Sequence, residues 1–485
     1  MWVTWLAAVL SFWVVLAILQ TFTGNGRCSQ WLELSGFKLG LFHLQWETTR
    51  FNRIFYRLGH GFPTMLDTWF GAGLACSLCS MIWSVYLLST ALVHSIQILT
   101  ASTSPPSTGQ VLQLVVPGVN LPLEQLLFFL PALLLSAVIH EIGHAVAATR
   151  DGVGLNSCGI FLFVLYPGAF VNLYTTQLHH LSPMRQLRIY CAGVWHNMVL
   201  AIVALALLLL LPWLMLPGYQ MGSGVVVTSV TKGSAMSGPL GLEVGDLVSK
   251  LSTCKIASNE DWTQCLTSST QNVHGMCMSE ELVRSLQTTA TVYSRTGDIE
   301  CCDNRSLSDL CFSYSHEEMT NQGNRYACLP VRKALEMSGE HPCHTNADCP
   351  ALLGRSICLQ ATLVQPARLL ILYRPPMKPV LFVGDPGHLY HTVSVSSYIP
   401  RFLLLPPGLP PFLETFLKYV VSLSGALGLL NAVPCFALDG QWILAALLEC
   451  VQWPKLCPPF LFVILMLGTG LLLANLVLGV VLLVH

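Results

Sequence analysis

Residues 126–150 read LLFFLPALLLSAVIHEIGHAVAATR, an apolar run long enough to cross a bilayer, with His140-Glu141-Ile142-Gly143-His144 near its end. Two imidazoles four residues apart lie on one face of a helix, where both reach a single metal ion. The glutamate between them is placed to hold and deprotonate a metal-activated water, the HExxH arrangement of zinc hydrolases. Each ionisable group inside hydrocarbon costs roughly 2 kcal/mol or more, so three within five residues need a compensating role. A metal supplies one, because it takes the imidazole lone pairs and stabilises the glutamate's charge.

The composition around this helix fits a membrane setting. Of 485 residues, 53% are hydrophobic and only 10% charged, and the mean hydropathy is +0.59. A globular chain carries about 25% charged residues. A polytopic α-helical membrane protein is the class this implies, with the lipid bilayer as its surroundings. The net charge of −1 provides no basic surface, so nucleic acid is not an expected partner.

Ten of the eighteen cysteines fall between Cys254 and Cys358, in one polar stretch. An even number at that density points to disulfides and an oxidising compartment. A zinc site from His341, Cys343, His344 and Cys349 is the rival, although the spacing matches no common finger. The sequon Asn304-Arg305-Ser306 lies in the same stretch and makes Asn304 a candidate glycosylation site on a lumenal domain.

In chain order, residues 1–23 form an apolar run without a basic leader or small-residue cleavage site, which reads as a retained anchor helix. Residues 24–65 read as a polar loop carrying Arg50, Arg53 and Arg57. Residues 66–100 suffice for one tilted span or a tight hairpin; one span leaves the 24–65 loop cytosolic, a hairpin leaves it lumenal. Residues 124–216 form a catalytic membrane core: the HEIGH helix, an aromatic and β-branched run at 158–175 broken by Pro167-Gly168, and a span containing Gly193-Val194-Trp195-His196-Asn197. The middle run reads as a re-entrant β-hairpin, whose free edge could take an extended substrate by strand addition. Arg150, Arg185 and Arg188 put the loop between the two spans in the cytosol.

Residues 217–410 then face the lumen. The strand-like GVVVTSV, the Gly-Leu-Glu-Val-Gly-Asp turn and later strand-like runs at 369–384 and 391–399 resemble a PDZ domain. Its disulfide-bonded insertion spans about 254–358; two small domains side by side is the alternative. Residues 411–485 return to the membrane. There Asn431 and Pro434 break a helix just before Leu438-Asp439-Gly440, and the last span covers roughly 459–484.

A catalytic zinc takes three protein ligands and leaves a fourth place for water. His140 and His144 supply two. Asp439 is the foremost intramembrane candidate for the third; His196 competes from a nearby span, and His179 and His180 are weaker because their stretch is polar.

HEIGH in one span, GVWHN in the next, a lumenal PDZ-like insertion and then NAVPCFALDG resemble the site-2 protease family over nearly the whole chain. The resemblance implies one Zn2+ ion held by His140, His144 and Asp439, with Glu141 as general base. It also implies a contribution of Asn197 to substrate or transition-state binding, and an address in the endoplasmic reticulum and Golgi. The implied substrates are membrane-anchored transcription factor precursors, sterol-regulatory and stress-response, already cut once on the lumenal side. Pro167 and Gly168 are the hairpin positions expected to matter for capturing an unwound substrate. Another integral HExxH peptidase would not need the Leu-Asp-Gly segment, and a membrane metal transporter would use the same side chains as transient ligands without cutting a peptide bond.

Overall fold

The computed structural model describes residues 2–23, 34–40, 42–100, 120–271, 275–289, 291–293, 299–302, 308–315, 324–338, 342–350, 356–402, 404–451 and 457–484. Asn304 and His341 lie outside them. The chain divides into two compact units, residues 1–210 with 413–485, and residues 211–412.

The first unit is helical around one small sheet. Its elements are α1 (Trp2–Thr23), β1 (Phe37–Gly40), β2 (His43–Thr48), α2 (Asn52–Gly61), α3 (Pro63–Thr100), α4 (Leu126–Arg150), β3 (Leu155–Phe163), β4 (Tyr166–Leu173), α5 (Pro183–Met215), α6 (Leu409–Ala432), α7 (Asp439–Cys450) and α8 (Cys457–Val484). Among the described residues, five helices are long and apolar enough to cross a membrane: Pro63–Thr100, Leu123–Arg150, Pro183–Met215, Leu409–Ala432 and Pro459–Leu482. The protein is an integral membrane protein. Polar side chains stitch these helices together where hydrocarbon offers no water. The Ser77 hydroxyl donates to the Cys191 carbonyl at 3.0 Å, and the Asn475 amide donates to the Leu88 carbonyl at 3.0 Å.

Of the two readings of 66–100, the single span holds, and the 24–65 stretch differs from its reading as a loop. The run at 66–100 belongs to one continuous helix of 38 residues, α3. The polar loop at 24–65 contains the strands β1 and β2 and the helix α2. These strands pair with the later hairpin in a four-stranded antiparallel sheet of order β1-β2-β3-β4. Residues 43–48 lie opposite 158–163, a pairing across more than a hundred residues that local pattern cannot reveal. A polar row crosses the sheet: Glu47 on β2 accepts from Lys38 on β1 at 2.5 Å, from Ser157 on β3 and from Asn172 on β4. The Lys38 ammonium, foremost, and the Ser157 hydroxyl hold the Glu47 carboxyl below its ordinary range.

Between α6 and α7 the chain leaves helical geometry for six residues, 433–438. Inside a bilayer, the freed backbone amides need partners. Thr469 on α8 accepts from the Phe436 N–H at 3.1 Å, and the Gln441 side chain accepts from the Ala437 N–H at 3.2 Å. Gly440 passes so close to this segment that a Cβ on it would stand 2.0 Å from the Val433 carbonyl oxygen.

The second unit holds two nested cores. One is drawn from both flanks of the sequence, Val225 to Leu266 and Leu370 to Val393; the other comes from the stretch between, Met276 to Leu359. The inner core backs a five-stranded sheet. All ten cysteines pair: 254–265, 277–349, 301–311, 302–328 and 343–358. This pairing uses Cys343 and Cys349, the thiols of the rival zinc reading. The Cys254–Cys265 bridge belongs to the outer core, so the inserted body begins later than residue 254, near 275. The reason is the burial of Cys265 beside Trp262 and Leu266 in the outer core.

Candidate active site

The HEIGH motif sits in the last half of α4, the most buried part of that helix. His140 and His144 lie one turn apart with their rings edge to face, and Asp439 reaches them from the first residue of α7. The Asp439 Oδ2 lies 2.8 Å from His140 Nε2 and 3.3 Å from His144 Nε2, and the two imidazole nitrogens are 3.1 Å apart. Donor atoms around a tetrahedral zinc with bonds near 2.0–2.1 Å stand about 3.3 Å from one another. The triangle seen here has that size.

The donor chemistry fits as well. His144 Nδ1 lies 2.9 Å from the Ile189 carbonyl, which can only accept, so Nδ1 carries the proton and Nε2 presents a lone pair to the triangle. His140 Nδ1 lies 3.1 Å from the Asn197 carboxamide. The Ser424 hydroxyl on α6 in turn donates to Asn197, at 3.0 Å to its backbone carbonyl and 3.3 Å to Oδ1. Both ligand imidazoles are thus held from behind.

Gly193 makes room for this arrangement. A Cβ at that position would stand 2.3 Å from His144 Nε2 and 2.6 Å from His140 Nε2. Only a residue without a side chain lets α5 pass this close to both rings. Within GVWHN, therefore, Gly193 and Asn197 face the site while His196 does not. The His196 Nδ1 donates to its own helix at the Ala192 carbonyl, 2.7 Å away, and its ring lies against Trp69 and Phe70. Helical geometry explains this: residues 193 and 197 share a face, and 196 points elsewhere. His179 and His180 are exposed beside a short helix and are not drawn into the cluster.

Glu141 lies where α4 packs on β4, with the Val171 backbone near its carboxylate. The hairpin turn is at Val164-Leu165, with Phe163 and Tyr166 as its closing pair. Pro167-Gly168 does not break the run as its sequence suggested; it lies inside β4. In a two-residue hairpin the closing pair exchanges hydrogen bonds, so Tyr166, Gly168, Phe170 and Asn172 address β3. Pro167, Ala169 and Val171 then address the open edge of the sheet. The missing N–H of Pro167 costs no ladder bond there, and Gly168 is covered by the Phe161 ring opposite.

Sequence reasoning missed Ser424, Gly193 as a clearance residue, and the Val171 backbone beside Glu141. Ser424 had a signal: it stands seven residues before Asn431, on the same helix face.

Comparison with known proteins adds to this geometry. Residues 128–337 match the model of Peptidase family M50. The membrane-bound transcription factor site-2 protease homolog of Arabidopsis thaliana is 25% identical over 453 residues, which cover 84% of this chain and 85% of that protein.

Proposed function

Because residues 128–337 match Peptidase family M50, a family of metalloproteases, we propose that the chain is an intramembrane zinc endopeptidase cutting single-span, membrane-anchored transcription factor precursors. One observation carries the reading. His140, His144 and Asp439 converge within 3.3 Å beside Glu141, in a segment where unpaired ionisable groups are costly.

In this proposal His140, His144 and Asp439 hold one zinc ion. Zinc so held lowers the pKa of water toward neutrality and polarises a peptide carbonyl. Glu141 takes a proton from the attacking water and returns it to the leaving amide nitrogen. Asn197 holds His140 rather than touching substrate. A substrate helix must unwind before its carbonyls can react, and β4 offers the unwound segment a strand to lie against. The outer core of the second unit acts as a PDZ-like lumenal domain that excludes precursors whose lumenal part has not been removed. The setting this implies is the endoplasmic reticulum and Golgi, with the disulfides on the lumenal side and Asn304 glycosylated.

The test compares wild type, Glu141→Gln and Asp439→Asn against a trimmed single-span substrate, with bound zinc measured on each purified protein. Both variants should lose cleavage by at least a hundred-fold; Glu141→Gln should keep zinc and Asp439→Asn should lose it. Cleavage by Glu141→Gln would remove the HEIGH helix from the chemistry. Full activity in Asp439→Asn would favour a different class of HExxH membrane peptidase.

A further inference from the structure

Residues 49–65 contain Arg50, Arg53 and Arg57 and no acidic side chain. At 100° per residue the helix α2 and its flanks divide into three strips. Phe55 and Gly59 share one, Phe51, Ile54 and Leu58 the next, and Arg50, Arg53 and Arg57 the third.

The first strip packs on the end of the HEIGH helix. Thr149 donates its hydroxyl to the Phe55 carbonyl at 3.1 Å, and a Cβ on Gly59 would stand 2.4 Å from the Thr149 Oγ1. The other two strips face outward. Phe51, Ile54 and Leu58 are 42%, 51% and 51% exposed, and Phe62, just beyond the helix, is 69% exposed. The three arginines are exposed and have no acidic partner among the described residues. Two residues after α2 ends, Pro63 opens the spanning helix α3. The helix therefore lies where two spans, α3 and α4, reach the membrane boundary.

We propose that α2 is an interfacial helix that binds anionic phospholipid headgroups through Arg50, Arg53 and Arg57. Phe51, Ile54 and Leu58 enter the acyl boundary beside them, and the Gly59–Thr149 contact fixes the depth of the HEIGH helix. An apolar strip flanked by a basic strip at a membrane boundary is the pattern of a helix lying in the interface. Three arginines without counter-ions on the protein match phosphate headgroups in charge. A protein partner fits less well, since three side chains on three turns fall far short of the roughly 800 Å² a stable interface buries per side. Thr149 is five residues from His144, about 7.5 Å along the helix axis, so a shift in the seating of α2 reaches the ligand turn.

The experiment uses the full chain in mixed micelles of phosphatidylcholine and phosphatidylglycerol, with retained lipids counted by native mass spectrometry. Wild type should retain phosphatidylglycerol preferentially, by about five-fold per arginine. The triple variant R50Q/R53Q/R57Q should fall toward an even ratio, and R50K/R53K/R57K should keep most of the preference. An unchanged ratio in the glutamine variant overturns the proposal. Independently of that variant, a photo-crosslinking residue at Leu58 in the otherwise native chain should capture phospholipid. Capture of a second copy of the chain, of another protein, or of nothing overturns it.

Discussion

Asn197 and Ser424 carry a consequence that can be measured without any substrate. When His140 offers its Nε2 lone pair to a metal, its Nδ1 is protonated and needs an acceptor. The Asn197 carboxamide shows its Nδ2 to His140 Nδ1 at 3.1 Å, with its Oδ1 accepting from Ser424; turning the amide over about its last side-chain bond brings the oxygen to His140 and meets that need. Asn197→Asp should therefore retain zinc, while Asn197→Leu should weaken zinc affinity by about 10- to 100-fold in a chelator competition. Ser424→Ala should fall between them. Equal zinc affinity in all three would mean the amide acts on substrate instead. At this scale the sequence was most informative for charged groups. His140, Glu141, His144 and Asp439 stand out because hydrocarbon makes them expensive. Gly193 and Ser424 are cheap in a membrane helix, so nothing in the chain marks them until the close approach of α5 and α6 is seen.

The open edge of β4 is the testable part at the scale of elements. Of the three residues addressing that edge, Pro167 has no N–H and Val171 lies beside Glu141. Ala169 is the remaining donor among them for a docking strand. Ala169→Pro should leave the β3 ladder and zinc content intact, since the lost N–H faces outward. Cleavage should drop several-fold, up to about ten-fold, which is the worth of one backbone hydrogen bond. Unchanged cleavage would end the strand-addition reading; lost zinc would show that the hairpin itself was disturbed. The hairpin was legible from its aromatic and β-branched run. Its partners β1 and β2 were not, being strands of four and six residues within a polar stretch and far from β3 in sequence. The turn was misplaced for a specific reason: Pro-Gly usually ends a strand, but here the proline's missing donor falls on an unpaired edge.

At the scale of the molecule, the second unit supports a size-filter role only if its removal changes which substrates are cut. Deleting residues 224–400 from an otherwise folded chain should allow precursors with intact lumenal domains to be cleaved, while trimmed substrates are cut as before; continued refusal of intact precursors would dismiss the filter. The nested layout was legible because strand-like runs stop before the cysteines and resume after them. The point of entry into the inserted body was not, because cysteine density alone cannot assign the Cys254–Cys265 bridge to either core.

His144 and Asp439 touch across 295 residues of sequence. A ribosome adding 5–20 residues per second needs roughly 15–60 s to travel that distance. Throughout that interval the nascent chain already displays its HEIGH helix but lacks the aspartate that completes the metal cradle. If the proposed function holds, the site cannot act while the chain is still being made. Its assembly would be timed by the arrival of α7 in the membrane.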